Sequence, residues 1–152
     1  PPRGRRAPRW AVGSRAKGVG RAAFWIAVAA RQRHSYNIAM RLAEDPEAEK
    51  WLQGLGEREG CFDWDDGNRN KNRKHGVEGW EIESIFDSPF VFAGRIVEPV
   101  HPECRFLLLG KNGAGRALAL IFTRRGERIR PISCRSMRKK ERRLYEDAVR
   151  DE

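Results

Sequence analysis

The clearest pattern lies in the second half of the chain, where apolar and polar positions fall in short runs. RFLLLG (105–110) and RALALIFT (116–123) are apolar enough to be strands covered on both faces, and KNGAG between them has the glycines of a hairpin turn. ERIRPISCR (127–135) sets Ile129 and Ile132 among arginines after a tight turn at Arg125 and Gly126; Pro131, which removes a ladder hydrogen bond, implies a sheet edge or a distortion there. PFVFA (89–93) reads as another strand and CFDW (61–64) as a short one. Asp65 is suited to cap a helix that Gly76 closes, and that segment is almost free of apolar residues, which places it on the surface. VEGWEIESIF (77–86) puts Val77, Trp80, Ile82, Ile85 and Phe86 close to a helical stripe, ended by Ser88 and Pro89. Met137, Leu144 and Ala148 share one face of a final helix within 137–150. The order predicts an α+β fold: an antiparallel sheet of three to four strands, two helices N-terminal to it and one C-terminal helix packed on it.

Composition divides the chain in two. Of its 152 residues 39% are hydrophobic and 34% charged, and the formal net charge is +10. Residues 1–41 hold ten Arg or Lys and no acidic residue, whereas residues 42–152 hold 21 of each sign, so the excess lies entirely in the first segment. Net charge therefore does not argue for nucleic acid in the remainder, and only local clusters can. The Arg, Gly, Pro and Ala of residues 1–20 read as disordered. AAFWIAVAA (22–30) is too short to span a bilayer, and it has the outline of a secretory signal peptide. The preferred expectation is a basic N-terminal extension over residues 1–56, disordered or translated ahead of a true start such as Met40, followed by a domain over residues 57–152. Residues 43–53 have the pattern of a short helix with Pro46 in its first turn. Three widely spaced cysteines without a CxxC pair argue against a zinc site or a disulfide frame and fit a reducing, cytoplasmic setting.

Candidate chemistry centres on cations. GKNGAGR has the glycine spacing of a phosphate loop, but Arg116 and Ala117 stand where Lys and Ser or Thr belong, and a strand follows rather than a helix. NKNRKHGV (70–77) gathers Lys71, Arg73, Lys74 and His75 at a helix end; histidine is the side chain suited to proton transfer near neutrality. On the arginine-rich strand Arg128 and Arg130 share a face, and arginines held on a sheet are rigid, bidentate donors to phosphate. The run Arg138, Lys139, Lys140, Arg142 and Arg143 reads as a solvated helix face.

FDWDDGNRNKNRKHGV (62–77), IFDSPF (85–90), RFLLLG (105–110), GRALALIFT (115–123), RIRPIS (128–133) with Cys134 and Arg135 after it, and ERRLYE (141–146) occur in an order that resembles the BrnT toxins of bacterial type II toxin–antitoxin pairs. The resemblance covers residues 61–148 and implies a fold like that of the RelE ribonucleases. It implies a toxin that cleaves RNA and inhibits translation without metal or cofactor. It also implies a cognate, BrnA-like antitoxin encoded nearby, held in a toxin–antitoxin hetero-oligomer in the cytoplasm, with no membrane association. On this basis Lys74, His75, Arg130 and Arg135 are the expected catalytic residues, and Arg105, Arg128, Arg130 and Arg135 the expected RNA-phosphate ligands. The chain departs from the family pattern in having only Arg73 between Asn72 and the Lys-His pair, in Pro131, and in the less acidic loop before Arg105. The alternative reading is a non-catalytic or decayed toxin-like module that binds an antitoxin or nucleic acid.

Overall fold

The computed structural model describes residues 40–55 and 61–151. Five antiparallel strands form one sheet in sequence order: β1 (Arg41–Ala43), β2 (Phe90–Glu98), β3 (Arg105–Lys111), β4 (Ala117–Arg125) and β5 (Arg128–Ser136). Helices α1 (Pro46–Gly54) and α2 (Gly79–Ser84) lie between β1 and β2, and α3 (Lys139–Arg150) follows β5. The α+β class matches the expectation, with one strand more than the sequence pattern gave. The extra strand is β1, whose three residues pair with β2 through Leu42↔Ile96 and Ala43↔Arg95, partners too distant in sequence for periodicity to reveal.

The apolar runs are buried on both faces because successive side chains alternate across the sheet. Phe92, Phe106, Leu108, Leu118, Leu120 and Phe122 point to one side, where they meet Leu52, Ile82, Ile85 and Phe86. Val91, Leu107, Leu109, Ala117 and Ala119 point to the other side, where Tyr145 and Ala148 of α3 cover them. Tyr145 is fixed further by donating its hydroxyl to the Pro89 carbonyl at 3.0 Å. Helix α1 starts with Pro46 after Asp45, whose Oδ1 accepts from the Ala48 amide at 2.9 Å. Its Ala48 and Leu52 join the first core, so part of the expected extension over residues 1–56 packs with the strands and helices that follow. The basic segment 1–39, with its apolar run at 22–30, lies outside the described residues.

The expected helix from Asp65 to Gly76 is replaced by a turn and a short 3-10 helix, Lys71–His75. The reason is polar. Asp65 Oδ1 accepts from the Gly67 amide at 2.8 Å, and the Asn68 and Asn72 side chains are buried against β5 rather than pointing to water. Gly76 closes the 3-10 helix with φ +68°, a left-handed conformation that favours glycine. CFDW is likewise not a full strand; it makes a single parallel bridge, Phe62 to Ile129.

Together these segments close the outer edge of β5. Ile129 donates its amide to the Cys61 carbonyl at 2.6 Å and accepts from the Asp63 amide at 2.8 Å. Pro131 needs no donor partner, and its carbonyl accepts from Asn68 Nδ2 at 3.2 Å. Cys134 donates its amide to Asn72 Oδ1 at 2.9 Å. Two asparagine side chains thus continue a ladder that the backbone of residues 61–63 begins. Pro131 fits because it stands at an edge and because the register shifts beside it: Phe122 pairs with Pro131 but Ile121 with Ser133, leaving Ile132 as the extra residue of a bulge.

Candidate nucleic-acid interface

Register places the four candidate arginines on one face of the sheet, the face that α3 partly covers. Leu42↔Ile96, Ile96↔Arg105 and Thr123↔Arg130 are cross-strand pairs, and carrying the β3–β4 register one residue past Phe106↔Phe122 sets Arg105 beside Thr123. These residues form a row across all five strands. One row toward the β4–β5 turn stand Arg125 and Arg128, and in the opposite direction Arg135 pairs with Ala119 under α3.

The four guanidinium groups differ in their partners. Arg130 Nη1 lies 2.8 Å from Asp65 Oδ2 and 3.3 Å from Asp63 Oδ2, and its Nη2 lies 3.1 Å from Asp65 Oδ1. This fork holds the Asp65 carboxyl below its ordinary value, with the Gly67 amide assisting, and raises the pKa of Arg130 in return. Arg135 makes a second fork with Glu141, Nη1 to Oε1 at 2.7 Å and Nη2 to Oε2 at 3.2 Å. Glu141 Oε1 also accepts from the Arg138 amide at 2.9 Å and so caps the start of α3. Arg105 Nη2 meets Glu103 at 3.4 Å, while its buried Nε has no partner among the described residues. Arg128 is exposed, and no ion pair engages it among the described residues.

Lys74 and His75 stand elsewhere. Both are exposed at the end of the 3-10 helix. Among the described residues no hydrogen bond or ion pair joins either of them to Arg105, Arg128, Arg130 or Arg135. What reaches the turn is Arg116, which pattern reading treated only as a mismatch to a phosphate loop. Its Nη1 donates to the Gly76 carbonyl at 2.7 Å, and its Nη2 to the His75 carbonyl at 3.3 Å and Ser136 Oγ at 3.1 Å. The structure therefore gathers the arginines on one sheet face, and it ties the turn that carries the Lys-His pair to the carboxyl end of β5 through Arg116. Sequence reasoning also missed Asp63 and Glu141 as arginine partners and assigned Asp65 to capping alone. Only the Asp65-x-Gly67 turn has a local signal; the other contacts form across the fold.

Other chemistries find less support. Burial pushes the thiols of Cys61 and Cys134 up to about 12, leaving them protonated and unsuited to nucleophilic attack. Among the described residues no three His, Cys, Asp or Glu side chains cluster to hold a metal ion, and no helix is long and apolar enough to cross a membrane.

Comparison with known families gives one match. The model of the family described as ribonuclease toxin, BrnT, of type II toxin–antitoxin system matches residues 64–141, just over half of the chain. All six candidate site residues, with Arg116 and Glu141, fall inside that span, whereas β1 and α1 precede it. No curated protein and no solved structure matches the chain.

Proposed function

Because the chain belongs to the BrnT family of ribonuclease toxins of type II toxin–antitoxin systems, we propose that it is an endoribonuclease that cleaves RNA without a metal ion and thereby inhibits translation. The observation that carries this reading is the row of arginines on one sheet face: Arg105 and Arg130 in line, with Arg128 one row away. Rigid guanidinium groups spaced along a sheet suit a phosphodiester backbone, and a phosphorane-like transition state needs positive charge where its negative charge builds. RNA phosphate is assigned to Arg105, Arg128 and Arg130, with Arg135 at the far end of the same face. Proton transfer at the ribose 2′-OH and the leaving 5′-oxygen is assigned to His75 with Lys74 beside it. RNA lying across the β5 edge would meet both groups. The fold is read as RelE-like, the setting as cytoplasmic, and the partner as a BrnA-like antitoxin that binds the toxin in a hetero-oligomer.

The test is cleavage of RNA by the purified full chain in EDTA, with Arg130→Ala and His75→Ala alongside. Cutting that Arg130→Ala abolishes, on RNA but not on the matching DNA, supports a 2′-OH-dependent mechanism with its phosphate site on β5. A folded chain that protects RNA without cutting it favours the binding-module reading. A His75→Ala variant with full activity removes histidine from proton transfer.

A further inference from the structure

We propose that Arg116 is the positioning residue of the turn that carries Lys74 and His75, fixing the orientation of the His75 imidazole against the end of β5. This rests on the reading of that turn as part of the RNA-cleaving site. Helical turns end in carbonyls with no partner of their own, and here the His75 and Gly76 carbonyls both receive Arg116, at 3.3 and 2.7 Å. The same guanidinium reaches Ser136 Oγ of β5 at 3.1 Å and Glu81 Oε1 of α2 at 3.6 Å. One side chain therefore joins the turn, the last residue of β5 and helix α2.

The clamp is itself held at both ends. At the backbone, the Arg116 amide donates to Asn112 Oδ1 at 2.8 Å and its carbonyl accepts from the Asn112 amide at 3.0 Å. At the tip, buried Glu81 accepts from Asn112 Nδ2 and from the Glu78 amide, both at 2.8 Å. Winding adds the spacing. A 3-10 helix repeats every three residues, so the His75 carbonyl that Arg116 holds falls one turn after Asn72, whose side chain binds the Cys134 amide, while the His75 side chain stays exposed. Asn72 and Arg116 thus pin successive points of the turn to Cys134 and Ser136 of one strand. The tighter winding also accommodates the short Asn72–His75 spacing. Arg73 stays out of this row, paired with Glu78 at 3.1 Å. Lysine cannot replace Arg116, because a single ammonium lacks the planar fork needed to reach acceptors on three elements.

The experiment compares wild type, Arg116→Lys, Ser136→Ala, His75→Ala and the Arg116→Lys/His75→Ala double variant in the full chain. It follows RNA cleavage, thermal melting and the His75 ring resonances by NMR, assigned through His75→Ala. A small displacement of a reacting group costs on the order of 10- to 100-fold, so Arg116→Lys should lower kcat by that much with KM within about twofold. The double variant should be no slower than His75→Ala, and the His75 ring resonances should move in Arg116→Lys. Ser136→Ala, which leaves the two carbonyl contacts in place, should show the same changes at smaller size in a well-folded protein. Unchanged His75 resonances in both folded variants would overturn the proposal, as would losses that simply multiply in the double variant. If His75→Ala proves fully active, the proton-transfer reading fails on its own, and the ring resonances still decide whether Arg116 orients the turn.

Discussion

Arg130 and Arg135 stand on the same face of the same strand, and each is held by a carboxylate fork, yet the two forks meet water very differently. Glu141 keeps 3% of its side chain exposed and also caps α3, whereas Asp65 keeps 53% exposed on a surface turn. Both arginines are largely buried, at 13% and 20% exposed, so the difference lies in the acids: a buried carboxylate must keep its partner, while an exposed one can exchange its partner for water at little cost. The same chemistry therefore serves two ends. Arg135 fastens the C-terminal helix to the sheet, and Arg130 is held by an acid on the surface. If RNA phosphate binds this face as proposed, Arg130, whose acid is open to water, is the better placed of the two to receive it.

The most damaging way to probe that contrast is at its buried end. Glu141→Ala should destabilise the protein by about 3 kcal/mol, since it strands Arg135 and uncaps α3. In thermal melting this is a fall in Tm of roughly 10–20 °C; a fall of only a degree or two would mean the fork is not structural. Next is Asn72→Ala, which leaves the buried Cys134 amide without its acceptor. It should cost about 2 kcal/mol and speed hydrogen exchange at that amide, the peptide group lying between the two arginines.

The exposed end should respond in function instead. Asp65→Asn weakens the competitor for Arg130, so RNA binding should tighten by about threefold at low salt with little change in Tm. Weaker binding would show that Asp65 positions Arg130 rather than competing for it. The acid also sets a pH signature. A carboxyl held below its ordinary 3.8 contributes stability above that pH and loses it as pH falls through the lower folded value. Denaturation of wild type and Asp65→Asn should therefore differ by a constant amount from pH 7 down to about 5 and converge in stronger acid. The smallest effect belongs to Arg128→Ala. With no carboxylate to release, it should weaken RNA binding uniformly and reduce the salt slope by about 0.7.

How far this contrast was legible in the sequence depends on distance along the chain. The run Phe106–Leu109 announces a strand covered on both sides, Gly76 announces a helix end, and Pro131 announces an edge, because each signal is written in a few neighbouring residues. The family resemblance and the shared face of Arg128 and Arg130 follow from the same local order. The acids that distinguish Arg130 from Arg135 do not. Asp65 lies 65 residues from Arg130, and Glu141, though only six from Arg135, meets it because α3 folds back over the sheet. The 3-10 winding of Lys71–His75 was hidden for a related reason: its asparagines satisfy groups on β5, a demand that no helix propensity contains. Arg116 is the sharpest case, since its four partners come from three elements that no spacing rule connects.

The closed edge of β5 has a consequence for assembly. An unpaired strand edge is a template on which another chain can add itself, whether as a partner's strand or as the start of an aggregate. At Ile129, Pro131 and Cys134 two outward amides and two carbonyls are already taken by Cys61, Asp63, Asn68 and Asn72. A protein docking on this side must recognise side chains rather than extend the sheet, so the arginine-bearing strand is closed to β-recruitment at these positions.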